Sequence, residues 1–309
     1  MSWAGSPNRS DLRAVQSLKA ISHMQERMSE STAARVASPE APAEPFTVPP
    51  AVPTKRPARS RPIGSTFVDW ATLAERATAI GISRPVFDAP APTLERFELQ
   101  IGTLNPGKTP HAPHCHPWEE ILIIKDGALE VSINGETQPA APGDVIFFAS
   151  NDVHTVVNRG AQPATFYVIN FCTDAVHTVR DEPSAKWAPP GTLRSCVVHW
   201  DKIEPKPMTH DIRRSFLDSP TVTFTNLKIH TATAAAGRYP VRHSGHANLL
   251  LVIMKEGMME SNVDGVTHLV GPGDLVFLAP GAVQTLRNPG SVPATYYVIA
   301  VSSADTMIG

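Results

Sequence analysis

Short runs of apolar residues alternate with glycine-containing turns through most of the chain, and helical periodicity is almost absent from them. In the clearest stretch the candidate strands are Ile121–Ile124, Ala128–Ile133, Val145–Phe148 and Phe166–Phe171, separated by Asp126-Gly127, Asn134-Gly135 and Pro142-Gly143-Asp144. An Asn-Gly pair between two strands favours a type I′ hairpin turn, in which both residues take positive φ. Many short strands joined by tight turns predict an all-β fold of closed double-sheet barrels of the jelly-roll type.

The same pattern occurs twice, because residues 65–170 match residues 195–300 at a constant offset of 130 positions without a gap. The matching segments include Val68 and Trp70 with Val198 and Trp200, Asp88-Ala89-Pro90 with Asp218-Ser219-Pro220, and Pro142-Gly143-Asp144 with Pro272-Gly273-Asp274. A repeat of this length is the size of a domain and too long for a solenoid unit. We therefore predict a first barrel at residues 64–180, a linker at 181–194 and a second barrel at 195–305.

The N-terminal residues 1–63 differ from the rest, since they hold few aromatic residues and, toward their end, many prolines. Such a segment cannot bury enough surface to order itself, so we predict a disordered Pro-rich tail. Within it, Asp11–Glu30 has apolar residues at three- and four-residue spacings, which indicates a marginal amphipathic helix. The tail is either a docking or targeting peptide, or a solvated extension, or non-native sequence upstream of a true start at Met24 or Met28.

The charge and the cysteine content of the chain indicate which partners and which cellular compartment to expect. Lys and Arg total 27 against 29 for Asp and Glu, a net charge of −2, so we predict neither a nucleic-acid partner nor attraction to an anionic membrane. No apolar run approaches the roughly 18 residues of a membrane span, and no export-signal pattern is present. The odd set of Cys115, Cys172 and Cys196 indicates reduced thiols without a structural disulfide. We expect a cytoplasmic protein.

Four residues of the first repeat form a candidate metal site. His114 and His116 are two positions apart, so an extended strand places both on one face. Glu120 shares that face if the intervening bend preserves it, and His154 comes from a later strand. Three imidazoles and one carboxylate suit a divalent first-row metal and leave coordination positions open for water or substrate. We therefore predict one divalent ion: iron, manganese, nickel or zinc.

Further residues are candidates for the cavity or for contacts that orient the ligands: His111, Trp118, Phe148 and Asn158. His111 is either a proton shuttle or an ordinary loop histidine. The two aromatic residues are either cavity walls or core. Cys115 and Glu119 have the opposite parity to the ligands, so we expect Cys115 to pack and Glu119 to face solvent or a neighbouring strand.

These residues resemble the two sequence motifs of the cupin superfamily. The first motif, glycine, a spacer, His-x-His, glutamate and glycine, is matched by Gly107, His114, His116, Glu120 and Gly127, with a spacer one residue longer than usual. The second motif is matched by Pro142, Gly143, His154 and Asn158. The resemblance covers both repeats and implies a two-domain cupin whose first domain binds metal through His114, His116, Glu120 and His154.

The second repeat departs from the pattern at the ligand positions. The offset places Ser244, His246, Leu250 and Gln284 where the first repeat has its ligands. A single imidazole and an amide beside a leucine cannot hold a metal tightly, so we predict a degenerate site. A rearranged site that uses His243, His246 and Gln284 stays open as an alternative.

The resemblance implies a fold and a metal more directly than a reaction, because one barrel hosts many chemistries. The ligand set is similar to that of dioxygenases such as quercetinases, so we favour a metal-dependent enzyme that acts on a small oxygenated organic molecule. The alternatives are an isomerase, a decarboxylase, a hydrolase similar to ureidoglycine aminohydrolases, or a non-catalytic protein that binds a small molecule or sugar. In ureidoglycine aminohydrolases the metal lies in the second domain, whereas the intact ligand set of this chain is in the first, which weakens that resemblance. Cupin barrels commonly pair, so we expect a homodimer.

Overall fold

The computed structural model of the protein describes residues 61–173, 178–209, 211–238, 241–243 (backbone only) and 248–302. Most of the predicted tail, including the predicted helix at Asp11–Glu30, lies outside these residues. Ser244 and His246 of the second repeat also lie outside them.

The described residues form strands almost throughout. Helix is limited there to α1 (Ser184–Trp187) and to two 3₁₀ turns, Trp70–Thr72 and Trp200–Lys202. The predicted all-β fold is confirmed. The same residues contain no helix with the length and apolarity needed to cross a membrane.

Each repeat contributes a similar series of strands. In the first they are β1 (Thr66–Val68), β2 (Arg76–Thr78), β3 (Gly81–Ala91), β4 (Leu94–Leu104), β5 (Glu119–Asp126), β6 (Leu129–Ile133), β7 (Glu136–Ala140), β8 (Val145–Phe148), β9 (His154–Val157) and β10 (Ala164–Cys172). In the second they are β11 (Cys196–Val198), β12 (Lys206–Pro207), β13 (Asp211–Ser219), β14 (Asn226–Ala234), β15 (Val241–His243), β16 (Leu249–Glu256), β17 (Met259–Val263), β18 (Val266–Val270), β19 (Leu275–Leu278), β20 (Gln284–Arg287) and β21 (Ala294–Ser302).

The strands form two barrels, each of one large and one small antiparallel sheet. In the first barrel the orders are β11-β8-β5-β10-β4-β3-β2 and β7-β6-β9. In the second they are β1-β19-β16-β21-β14-β13-β12 and β15-β20-β17-β18. The predicted hairpins are present, since Asn134 and Gly135 between β6 and β7 have φ of 49° and 90°. Asp264 and Gly265 repeat these values between β17 and β18.

Each repeat gives its first strand to the other barrel. β1 pairs with β19 in the large sheet of the second barrel, with Phe67 opposite Val276. β11 pairs with β8 in the large sheet of the first barrel, with Val197 opposite Ile146. The sheets therefore cross the predicted limits at residues 64 and 195, and each barrel contains a strand from the other repeat.

The Pro-Gly-Asp turns hold the exchanged segments in place. Asp144 accepts a 2.8 Å hydrogen bond from the backbone N–H of Trp200. The indole ring of Trp200 lies against Gly143, where an added Cβ would come within 3.0 Å of an indole carbon. The equivalent residues of the other repeat are Asp274, Trp70 and Gly273. Glycine is required at these turns by close packing as well as by positive φ.

One hydrophobic core joins the two barrels. It includes Phe97, Ile121 and Phe147 from the first and Phe277 and Ile299 from the second, all fully shielded from solvent. The ring centroids of Phe97 and Phe277 are 5.3 Å apart. Since each buried side chain of this size stabilises the fold by about 1.5–3 kcal/mol, the outer faces of the two large sheets are a main source of stability.

Candidate metal centre

A cavity of about 290 Å³ lies inside the first barrel and is lined by residues of both its sheets. The predicted site residues that line it are His111, His114, His116, Trp118, Glu120, Phe148 and His154. Much of the remaining wall is apolar. A small, partly open cavity of this kind is typical of sites for small molecules.

Three of the predicted ligands converge within this cavity. His154 begins β9 and forms an antiparallel bridge with His114, through backbone hydrogen bonds of 2.8 and 3.1 Å. His116 follows two residues later on the same face. The ligand nitrogens of His114, His116 and His154 all lie within 4.8 Å of one another, the one such group of three found in the described residues. Glu120 on β5 places Oε2 3.4 Å from Nε2 of His116.

The backbone fixes the orientation of each imidazole. Nδ1 of His116 lies 2.9 Å from the carbonyl oxygen of Trp118, and Nδ1 of His154 lies 2.8 Å from that of Asp152. Nδ1 of His114 makes a longer contact of 3.3 Å with the carbonyl oxygen of His154. A carbonyl only accepts, so each Nδ1 carries the proton and each Nε2 keeps its lone pair. Contacts of this kind orient metal-binding histidines.

Aromatic side chains pack against the imidazole rings of the three histidines. Trp118 stacks on His116 with ring centroids 4.4 Å apart, and Phe148 stacks on His154 at 4.2 Å. The exposed His111 packs edge-on against His114 at 3.7 Å. The imidazoles therefore have little rotational freedom, and the site is preorganised.

Burial keeps the three imidazoles neutral. It lowers the pKa of His114 to about 3, with smaller contributions from His111 and His116. It lowers the pKa of His116 to about 4 and that of His154 to about 3. The same burial raises the pKa of Glu120, which nearby His154 partly offsets. Near neutral pH the histidine nitrogens therefore present lone pairs instead of protons.

The low pKa of His116 makes the stability of the metal-free protein depend on pH. The imidazole of His116 has a pKa of 6.5 in the unfolded chain and about 4 in the folded protein. Between these pH values the unfolded state therefore binds more protons. Stability from this group is complete above pH 6.5 and is lost as the pH falls through this window, by roughly 3 kcal/mol. Urea denaturation of chelator-treated wild type and His116→Asn should show the gap between their unfolding free energies shrinking toward low pH. Parallel profiles would contradict the assignment.

The donor set fits a divalent metal. The Nε2 atoms of His116 and His154 are buried and have no hydrogen-bond partner among the described residues. A buried, unpartnered lone pair costs free energy unless another group satisfies it. A cation satisfies both nitrogens at once, and the carboxylate of Glu120 beside them lowers the net charge that it would bring. Imidazole and carboxylate ligands together suit iron, manganese, nickel and zinc.

The structure corrects the prediction for Asn158. Its amide nitrogen donates to the carbonyl oxygens of Leu104 and Gln162, at 2.8 and 2.9 Å. Its Oδ1 accepts from the backbone N–H of Gly160 at 2.9 Å. Asn158 therefore organises the turn before β10 and does not line the cavity. The sequence does not separate these two roles, because an asparagine at this position of the motif fits a turn as well as a contact that orients a ligand.

The expectation for Glu119 is also wrong. The residue is 1% exposed and reaches the second repeat, where its carboxylate accepts from the hydroxyl of Thr221 at 2.7 Å and from the backbone N–H of Val222 at 3.1 Å. Strand parity correctly turns it away from the cavity, but that outer face is covered by the other barrel. Cys115 is fully buried, as expected of a packing residue, and it is free, as are Cys172 and Cys196.

The sequence interpretation missed three polar residues of the cavity wall, namely Glu98, Gln100 and Asn170. On β4, Glu98 and Gln100 alternate with the buried Phe97, Leu99 and Ile101. Asn170 interrupts an otherwise apolar strand. The apolar face of β4 packs in the core shared by the two barrels, so its polar face points into the cavity. The alternation on this strand was the available indication.

The described part of the second barrel contains no comparable group of metal-binding side chains. Leu250, at the position of Glu120, is 7% exposed and packs with Val252, Leu278 and Ala300. Gln284, at the position of His154, donates to the hydroxyl of Ser261 at 3.2 Å. Ser244 and His246 lie outside the described residues, as does the side chain of His243, so the rearranged site stays an untested alternative.

Comparison with known protein families decides the identity of the fold. Residues 100–170 and 230–300 match the family described as the cupin domain, once in each barrel. The chain is a two-domain cupin. The resemblance seen in the sequence motifs is thereby confirmed, and the double-sheet barrels are cupin barrels. No curated protein sequence matches this cupin.

Several solved structures have a similar fold over most of the chain. Protein Ylba from E. coli has a TM-score of 0.60 and 13% identity, over 78% of this cupin and 94% of that chain. Oxalate decarboxylase from Lactobacillus farciminis, in a formate complex, has a TM-score of 0.59 and 13% identity, over 79% and 88%. AerE from Microcystis aeruginosa has a TM-score of 0.56 and 14% identity, over 77% and 97%. At these identities the likeness concerns the fold alone.

Proposed function

We propose that this cupin is a metal-dependent enzyme that acts on a small oxygenated organic molecule, with dioxygenase-like chemistry as the favoured reaction class. The observation that carries the proposal is the convergence of three neutral, fixed imidazoles on one side of a cavity. Structural metal sites are closed by protein ligands, whereas these nitrogens face a space that a substrate can enter. That geometry supports a chemical role over a structural one.

His114, His116, Glu120 and His154 are the proposed ligands of one divalent ion: iron, manganese, nickel or zinc. Such an ion, when bound, supplies a Lewis acid toward a substrate oxygen and, except for zinc, redox chemistry. A solved structure of the same fold concerns the Mn(II) centres of Bacillus subtilis oxalate decarboxylase, at 14% identity and a TM-score of 0.57. That likeness keeps manganese among the candidates.

Other cavity residues have supporting roles in this proposal. Trp118 and Phe148 hold two ligand imidazoles by stacking. Leu122 and Phe166 line the cavity with apolar surface, which excludes water and strengthens polar contacts to a substrate. His111 lies at the exposed edge, where an imidazole can pass a proton between the cavity and solvent.

The proposal is tested on the full chain purified without chelator. Elemental analysis should find about one divalent ion per chain in the wild type and much less in His116→Ala. Oxygen consumption with enols, diols and aromatic diols should depend on that metal. His268→Ala is the matched control, because this exposed histidine stacks on Phe67 of β1 and lies outside the cavity.

Two results would contradict the proposal. Equal, substoichiometric metal in the wild type and in His116→Ala would refute the ligand assignment. Full metal occupancy with ligand binding but no turnover of any substrate would favour the non-catalytic alternative. The proposed homodimer and cytoplasmic location are separate points, and light scattering of the purified chain tests the first.

A further inference from the structure

The cavity wall carries acidic side chains and, apart from histidine, no basic one among the described residues. Its charged residues, apart from histidine, are the carboxylates Glu98 and Glu120. Neither lysine nor arginine is present among the described lining residues. A carboxylate bound away from the proposed metal would need such a cation, because a desolvated anion is costly without a partner.

Three cavity residues stand side by side across neighbouring strands. Asn170 of β10 is in register with Glu98 of β4 on one side and with Glu120 of β5 on the other. Residues directly opposite on paired strands lie close enough to interact. This polar row therefore extends from the proposed metal ligand Glu120 across two neighbouring strands of the cavity wall.

Asn170 has an acceptor atom without a partner. Asn170 is in register with Glu98, and its amide lowers the pKa of that carboxylate as a hydrogen-bond donor does. Its Oδ1 is buried, in a residue only 6% exposed, and has no hydrogen-bond partner among the described residues. Such an atom lining a cavity is satisfied by a ligand that donates a hydrogen bond.

Glu98 is held as an acceptor from outside the cavity. Its Oε2 lies 3.1 Å from an Nη of Arg96, and that guanidinium also binds Asp88 at 2.7 Å. Arg96 does not line the cavity, and its positive charge is balanced by Glu98 and Asp88. Burial raises the pKa of Glu98, which Arg96 and Asn170 oppose. The row therefore presents the carboxylate of Glu98 and the carbonyl of Asn170 to the same space.

We propose that the substrate is a small uncharged molecule with at least two hydroxyl groups, and that Glu98 and Asn170 select it by accepting a hydrogen bond from one of them. The proposal rests on the proposed function, since the other oxygen is taken to lie at the metal ligands. A dicarboxylate is disfavoured, because its second carboxylate would face two acceptors. The cavity volume of about 290 Å³ limits the substrate to a small molecule.

The test measures binding by calorimetry to the full chain, both zinc-loaded and chelator-treated, since zinc prevents redox turnover. The probes are catechol, 1,2-dimethoxybenzene, which has the same shape without donors, and oxalate. In both forms catechol should bind at least about tenfold more tightly than its dimethyl ether, because the discrimination comes from the protein acceptors. Glu98→Gln should reduce that preference about tenfold and leave oxalate binding unchanged or stronger.

Glu95→Gln is the matched control, because it removes an exposed carboxylate from the same strand outside the cavity. Equal affinities for catechol and its dimethyl ether would overturn the inference, as would oxalate binding that weakens in Glu98→Gln. A protein that keeps the catechol preference but takes up no zinc would instead contradict the proposed function. The two failures are therefore distinguishable.

Discussion

Glu120→Gln is expected to weaken metal binding on the order of 100-fold or more, with little change in the stability of the metal-free fold. Loss of a residue that merely orients a ligand already costs about 10- to 100-fold, and the proposed ligand Glu120 contributes a charge as well. Its side chain is 13% exposed at the cavity, and glutamine has the same shape. The measurement is competition for zinc against a chelator of known affinity.

The neighbouring residue supplies the control. Glu119→Gln changes the same functional group one position earlier in β5, on the face turned away from the cavity. It should leave zinc affinity within about twofold of the wild type. If both variants lose zinc equally, a general disturbance of β5 explains the result, and Glu120 is not a ligand.

Glu119→Leu is expected to destabilise the protein by about 3–5 kcal/mol. The carboxylate is fully buried between the barrels, and its loss leaves the hydroxyl of Thr221 and the N–H of Val222 without their acceptor. Leaving one buried donor unsatisfied costs about 1–3 kcal/mol, and this substitution leaves two. Urea denaturation of the full chain measures it, and a cost below about 1 kcal/mol would show that this contact is dispensable.

Glu119 also makes the free energy of unfolding depend on pH. Burial raises the pKa of Glu119 from its ordinary 4.5 to about 7, although Thr221 and two backbone N–H groups oppose the shift. Its contribution to stability is present below pH 4.5 and is lost as the pH rises through 7, by roughly 3 kcal/mol. Glu119→Gln lacks this titration, so its stability relative to the wild type should increase from pH 5 to about pH 8. A constant difference would contradict the raised pKa.

The sequence was sufficient to predict the repeated β fold, because turn chemistry is local. Asn134-Gly135 and its counterpart Asp264-Gly265 specify their turns whatever surrounds them. Strand parity likewise brought His114 and His116 to one face, and the structure places both in the cavity.

The rest depends on information that is not local. Parity shows that Glu119 faces away from the cavity, but not that the second barrel covers it. Asn158 forms a turn through contacts with distant backbone, and Glu98 gains its role only from the register between β4 and β10. Thr66–Val68 has the sequence of an ordinary edge strand, and nothing in its residues states which barrel it joins.

The exchanged strands set an order of assembly during synthesis. The sheet of the first barrel lacks its edge strand until residues 196–198 have been made. The opening strand at Thr66–Val68 must wait for residues 275–277, about two hundred positions later, before its partner exists. A nascent chain therefore cannot finish one barrel before beginning the next. The first barrel can close only after the second repeat has begun, and the second barrel only near the end of translation. Neither repeat is expected to survive on its own once the chain is cut between them.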